Sequence, residues 1–153
     1  MVIAVFGPTC AGKSTFIRNS LNVPDSDVVF AHQLGRRDPR AGQAVHYNLL
    51  FGAPSAAAVN PATSVDLLRL GQLLDTVRLD RCYVLECPLG ELVARASVRK
   101  AVEPGIGATY DSARWIRILR EADLPACYEL LFRTLESRGI AWTRLDTGGS
   151  LAA

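Results

Sequence analysis

The apolar run Val2-Ile3-Ala4-Val5-Phe6 passes without a break into Gly7-Pro8-Thr9-Cys10-Ala11-Gly12-Lys13-Ser14-Thr15. A continuous apolar run suits a parallel strand covered on both faces. The segment after it satisfies G-x-x-x-x-G-K-[ST] at every fixed position. Each constraint has a physical reason. The glycines let the backbone curl, so that successive N–H groups point at phosphate oxygens. Lys13 reaches the outer phosphates as a compact point charge, and Ser14 offers a hydroxyl to Mg²⁺. A helix starting at Lys13 adds the positive end of its dipole.

The lysine of that pattern stands out against its background. Of 17 basic residues only Lys13 and Lys100 are lysine. In such a chain arginine is the default cation, so an arginine cluster carries less information than the lysine kept at position 13. The formal net charge of +2 gives no strong electrostatic case for nucleic acid or a membrane surface. No apolar run approaches the roughly 20 residues of a membrane span. The N-terminus has no basic stretch before its apolar run, which argues against a signal peptide. Cys10, Cys82, Cys87 and Cys127 form no C-x-x-C pair, so zinc is not expected, and reduced thiols in a cytoplasm are the simplest reading.

At 153 residues the chain has the length of one domain. Apolar strands are expected at 2–6, 28–31, 82–86 and 140–145. A weaker fifth is placed between 53 and 64, in a stretch that otherwise reads as a surface loop. Helical spacing predicts helices over 13–21, 65–77 with Ser64 as cap, 91–100 and 112–121. A longer helix starts at Asp123-Leu124-Pro125 and stops at Gly139. Alternating strands and helices predict an α/β domain with a mostly parallel sheet of four or five strands.

The strand–loop–helix at 2–15 resembles the P-loop NTPase superfamily. The chain length, the N-terminal position of the loop and the later arginine-bearing helix resemble its nucleoside-monophosphate-kinase-like members, which act on small molecules. That resemblance implies a single three-layer P-loop kinase domain over 1–153, with a lid segment at about 91–112. It implies that Gly7, Pro8, Thr9, Cys10, Ala11, Gly12, Lys13, Ser14 and Thr15 hold the phosphates of ATP, and that Thr147 lies by its base. GTPases would want an N/T-K-x-D motif to read the base, which this sequence lacks.

Gly35-Arg36-Arg37-Asp38-Pro39-Arg40-Ala41-Gly42-Gln43, followed by Tyr47, resembles the T-R-x-P-R-x-G-E stretch of guanylate kinases. It departs where Arg36 replaces the threonine and Gln43 the glutamate. The resemblance implies that Arg36, Arg37, Arg40 and Tyr47 bind the acceptor. On chemistry alone, these arginines form a cationic patch suited to a phosphate or carboxylate, or simply a solvated loop. The Asp often found after the second strand is absent. His32 stands there and is the candidate base, with Asp38 and His46 as other nearby choices.

Glu86 closes an apolar strand and is the candidate carboxylate for Mg²⁺, beside Ser14. Arg95 and Arg99 share a helix face at i, i+4 and resemble the R-x-x-x-R lid of small kinases, whose arginines close on the transferring phosphoryl group. A solvent-facing pair bridged to Glu91 or Glu103 is the plainer alternative. The expected function is ATP- and Mg²⁺-dependent phosphoryl transfer to a small molecule such as a sugar, nucleoside or metabolite. No nucleic-acid or membrane partner is expected. A guanylate-kinase-like enzyme and a nucleotide-binding ATPase or switch without kinase activity are the alternatives.

Overall fold

The computed structural model of the protein describes residues 1–50, 67–102 and 111–148. Five strands form one all-parallel sheet: β1 (Ile3–Gly7), β2 (Val28–Phe30), β3 (Ala44–Asn48), β4 (Arg81–Glu86) and β5 (Thr143–Asp146). The sheet order is β2-β3-β1-β4-β5. The helices are α1 (Lys13–Asn19), α2 (Leu67–Thr76), α3 (Leu89–Val102), α4 (Ser112–Glu121) and α5 (Leu124–Ser137). The α/β class and the parallel sheet agree with the sequence reading.

The sheet order places β1 at a topological switch. The chain leaves it for β2 and returns to β3 on one side, then crosses to β4 on the other. In open parallel sheets the crevice at the carboxyl ends beside such a strand is the usual ligand site. The segment Pro8–Gly12 leaves β1 into that crevice.

Because side chains alternate along a strand, each registered row faces one side of the sheet. Phe30, His46, Val5 and Tyr83 form one such row. Tyr83 meets Phe16 of α1 edge-on at 5.1 Å, so this row lies on the α1 face. Phe6, Tyr47 and Val84 form a row on the opposite face, fully buried. There α5 packs: the Tyr128 hydroxyl donates to the Leu85 carbonyl at 2.9 Å, and Phe132 stacks on Trp142 at 5.3 Å.

The helices form where the sequence supplies both a buried stripe and a stop. Leu124, Cys127, Tyr128, Leu131 and Leu135 are the buried face of α5. Asp123 caps it, its Oδ1 accepting from the Ala126 N–H at 3.2 Å, and the chain leaves past Gly139. Asp111 caps α4 through the Arg114 N–H at 3.0 Å.

Two expectations change. The fifth strand is Ala44–Asn48, a segment read from sequence as the tail of the arginine-rich stretch. The strand anticipated at 53–64, the cap at Ser64 and residues 103–110 of the expected lid segment lie outside the described residues. The last strand is also shorter than predicted and starts at Thr143, after Trp142 has packed on Phe132.

Candidate functional site

The loop after β1 holds its shape by backbone constraint. Gly12 sits at φ 90°, a left-handed conformation that a Cβ would strain, and its carbonyl accepts the first helical bond from Phe16 N–H at 2.9 Å. At Gly7 the constraint is space. A Cβ there would stand 3.2 Å from the Leu85 carbonyl oxygen and 3.3 Å from the Ala11 Cβ. Cys10 also takes positive φ, at 64°, a conformation that costs a non-glycine residue about 1 kcal/mol or more.

Lys13 is 4% exposed, and its Nζ donates to the carbonyls of Gly7 at 2.8 Å and Pro8 at 2.5 Å. Burial, and then the nearby Arg99 charge, bring its pKa down to about 7. Ser14 is exposed on the first turn of α1, beside half-buried Thr15.

Two arginines of α3 complete the cluster. Arg95 donates to the Cys10 carbonyl at 3.0 Å and to the Thr147 carbonyl at 2.6 Å. Its Nε meets Glu91 Oε1 at 3.3 Å, so the plainer salt bridge exists as well and aims the guanidinium. Arg99 donates to Thr9 Oγ1 at 3.2 Å and approaches Cys10 Sγ at 3.6 Å. Thr147 is fully buried; its N–H donates to the Glu86 carbonyl at 2.8 Å, which fixes the carbonyl that Arg95 grips. Arg95, Arg99, Thr147 and the 7–15 loop are thus brought together.

The other expected residues lie elsewhere. Arg40 precedes β3, at the amino edge of the sheet: Gly42 N–H donates to the Met1 carbonyl at 2.7 Å, and Ile3 N–H to the Gln43 carbonyl at 3.3 Å. The loop after β1 is at the carboxyl edge, so the whole length of β1 separates Arg40 from Lys13. Gln43 spends its side-chain oxygen on the Arg40 N–H at 2.8 Å. Arg37 is drawn the same way and donates to the Ser26 carbonyl, ahead of β2, at 3.1 Å. Arg36 alone stays near the carboxyl edge, on the His32 carbonyl at 3.3 Å. The expected acceptor role of Arg37 and Arg40 is not supported, because a parallel β3 requires the chain to run back across the sheet before it.

Tyr47 is fully buried, its ring tilted against Phe6 at 5.1 Å on the face opposite α1, so its place is packing. Glu86 alternates with Leu85, whose Cβ meets the loop at Gly7; its own carboxylate is turned to Arg144, at 2.8 Å. The metal assignment at Glu86 therefore loses its geometric support. Among the described residues no group of three or more His, Cys, Asp and Glu side chains could hold a metal ion.

His32 is exposed at the carboxyl end of β2, in a short 3-10 turn. His46 and Asn48 lie on the α1 face of β3, and Asn48 pairs with Gly7 in register. Burial, then the charges of Lys13 and Arg99, push the His46 pKa down to about 3 despite a backbone hydrogen bond that opposes them, so this imidazole is neutral. His46 and Asn48 alternate with buried Val45, Tyr47 and Leu49, which turns the two polar side chains to one face.

Cys82, Cys87 and Cys127 are buried free thiols, and Cys10 is half-buried beside Thr9 and Arg99. Among the described residues no helix is long and apolar enough to cross a membrane. Comparison with protein-family models returned no match. Comparison with curated proteins likewise returned none.

Proposed function

We propose that this chain binds a nucleoside triphosphate on the 7–15 loop and transfers its terminal phosphoryl group to a small molecule. One observation carries the reading. Lys13 and Arg99, far apart in sequence, converge on one glycine-bounded loop at the sheet's switch point, and the lysine is buried there with its pKa depressed to about 7. A lysine stripped of water, beside a second cation, suits a polyanion, which would compensate both the burial and the repulsion.

In this reading the loop N–H groups, Lys13 and Arg99 hold the outer phosphates, and Arg95 fixes the loop. The acceptor oxygen forms a bond to the γ-phosphorus as the bond to the β,γ-bridging oxygen breaks. The diphosphate leaves with that electron pair, and the acceptor proton passes to water or to His32. Fixed cations around the equatorial oxygens stabilise the charge of the transition state. Mg²⁺ would neutralise the phosphates, with the Ser14 hydroxyl as the ligand this chain offers. The guanylate-kinase-like version loses its footing, because Arg37 and Arg40 reach toward the wrong edge.

Purified protein with Mg-ATP and a panel of hydroxyl and phosphate acceptors tests this. ADP release that depends on one acceptor class, and is abolished in Lys13→Ala, is the expected result. Release independent of every acceptor would select a nucleotide-hydrolysing switch instead. Full activity of Lys13→Ala would overturn the site.

A further inference from the structure

The carboxyl ends of β2 and β3 carry an aromatic row beside the loop. Phe30 is 36% exposed, an unusual position for a phenylalanine at the end of a sheet strand. Its ring centroid lies 4.8 Å from His46 and 5.8 Å from His32, the latter nearly parallel at 22°. The register puts Phe30 and His46 side by side on the α1 face, the face of the helix that Lys13 opens. Arg36 ties down the His32 carbonyl and so steadies the turn that carries the ring. Gln33 does the same from the other side, its Oε1 accepting from the Phe30 N–H at 3.0 Å.

We propose that Phe30 and His32 form a stacking platform for a heteroaromatic ring, which makes the phosphoryl acceptor a nucleoside or a similar base-bearing alcohol. The proposal rests on the phosphotransferase reading and names its acceptor class. Three observations select that class. The Phe30 and His32 rings are exposed and nearly parallel, at 22°, and bases stack on such π faces with little dependence on their identity. The inner member, His46, is neutral, its pKa lowered to about 3 chiefly by burial, so it adds no cation to the row. Of the arginines expected to grip an acceptor phosphate, Arg37 is engaged on the Ser26 carbonyl, Arg40 stands at the amino edge, and Arg36 is held on the His32 carbonyl. An unphosphorylated ring compound fits this site better than a nucleotide.

The test uses the full chain saturated with Mg²⁺ and inorganic tripolyphosphate, which fills the loop without supplying a base. Adenosine, guanosine, cytidine and thymidine are titrated in turn by calorimetry, with ribose and glycerol as ring-free comparisons, and each titration is repeated without tripolyphosphate. At least one nucleoside is expected to bind about tenfold or more tightly than ribose. Phe30→Ala should weaken that binding by about tenfold, Phe30→Tyr should restore it, and His32→Ala, at an exposed position, should weaken it several-fold. The proposal is overturned if no nucleoside binds, if ribose binds equally well, or if neither Phe30→Ala nor His32→Ala changes nucleoside affinity. The underlying reading fails separately: tripolyphosphate would then not bind, or would bind equally to Lys13→Ala.

Discussion

The guanidinium of Arg95 donates to the carbonyl of Cys10 at 3.0 Å, across 85 positions of sequence. Its other terminal nitrogen holds the Thr147 carbonyl at 2.6 Å, so one planar fork ties the loop after β1 to the loop after β5. An ammonium lacks the two fixed, separated nitrogens with which this guanidinium meets the two carbonyls. Arg95→Lys is therefore expected to behave much like Arg95→Ala. Both should lower phosphoryl transfer by about a hundredfold, and lower stability by about 1–3 kcal/mol through carbonyls left without donors. Steady-state kinetics and denaturant melts check this. A fully active Arg95→Lys enzyme would show that charge alone matters there.

Lys13 makes the site sensitive to pH. Its folded pKa is about 7 against 10.5 for an ordinary lysine. Between those values the unfolded chain holds a proton that the folded chain lacks, so this group makes stability rise with pH from about 7 to 10.5. In the proposed function, triphosphate binding draws on the charged form of Lys13. Above pH 7, binding should take up as much as one proton, and affinity should fall by up to about tenfold per pH unit. Calorimetry in buffers of different ionisation enthalpy measures the uptake. Lys13→Met should remove both the uptake and this contribution to the stability slope; an unchanged slope in that variant would refute the assignment.

How much was legible in the sequence depended on whether the determinants were local. The 7–15 loop was readable because its constraints are local: glycines at set offsets, a lysine, an apolar strand before and a helix after. The helix over 124–137 was readable because it carries its own apolar stripe and is bounded directly by Asp123 and Gly139. The role of residues 33–48 was not, because it turns on where the chain runs. Ala44–Asn48 contains two polar residues in a short segment, and only pairing with β1 on one side and β2 on the other makes it a central strand. Missing it left Arg37 and Arg40 at the wrong edge and Tyr47 on the wrong face. The strand ending at Glu86 failed for a related reason, since its facing follows from alternation with Leu85 and its partner Arg144 comes from the far end of the chain.

Arg37 and Arg40 provide a direct check on that topology. If they lie toward the amino edge, Arg37→Ala and Arg40→Ala should each leave the acceptor KM and kcat within about twofold, in keeping with exposed residues away from the site. A tenfold rise in acceptor KM in either variant would mean that the arginine reaches the acceptor, contrary to the sheet order.

Glu86 should matter to the sheet rather than to the metal. The Glu86–Arg144 pair is partly open to solvent, at 28% and 59% side-chain exposure, and Arg144 also lies over the Phe132 ring at 4.7 Å. Screening holds such a pair to about 0–1 kcal/mol, so Glu86→Gln should cost no more than that in stability. The Mg²⁺ dependence of turnover should be unchanged. A large increase in the Mg²⁺ concentration required would return the carboxylate to the metal.

Gly7 offers the sharpest test of loop geometry, because it changes no charge. A methyl group there would meet the Leu85 carbonyl oxygen at 3.2 Å and the Ala11 Cβ at 3.3 Å, both tighter than ordinary contact. The Leu85 carbonyl is also the acceptor for the buried Tyr128 hydroxyl, so it cannot withdraw without disturbing that bond. The strain must then fall on the loop, and displacement of Gly7 carries its carbonyl away from Lys13 Nζ and from the Leu49 N–H that it also accepts at 2.8 Å. Gly7→Ala should cost about 1–3 kcal/mol of stability, in the range of overpacked cores. Triphosphate affinity should fall by more than a general loss of stability explains. The measurement is tripolyphosphate binding at a temperature where the variant is fully folded. Wild-type affinity there would mean that the loop holds its phosphate contacts without the close approach of β1 to β4.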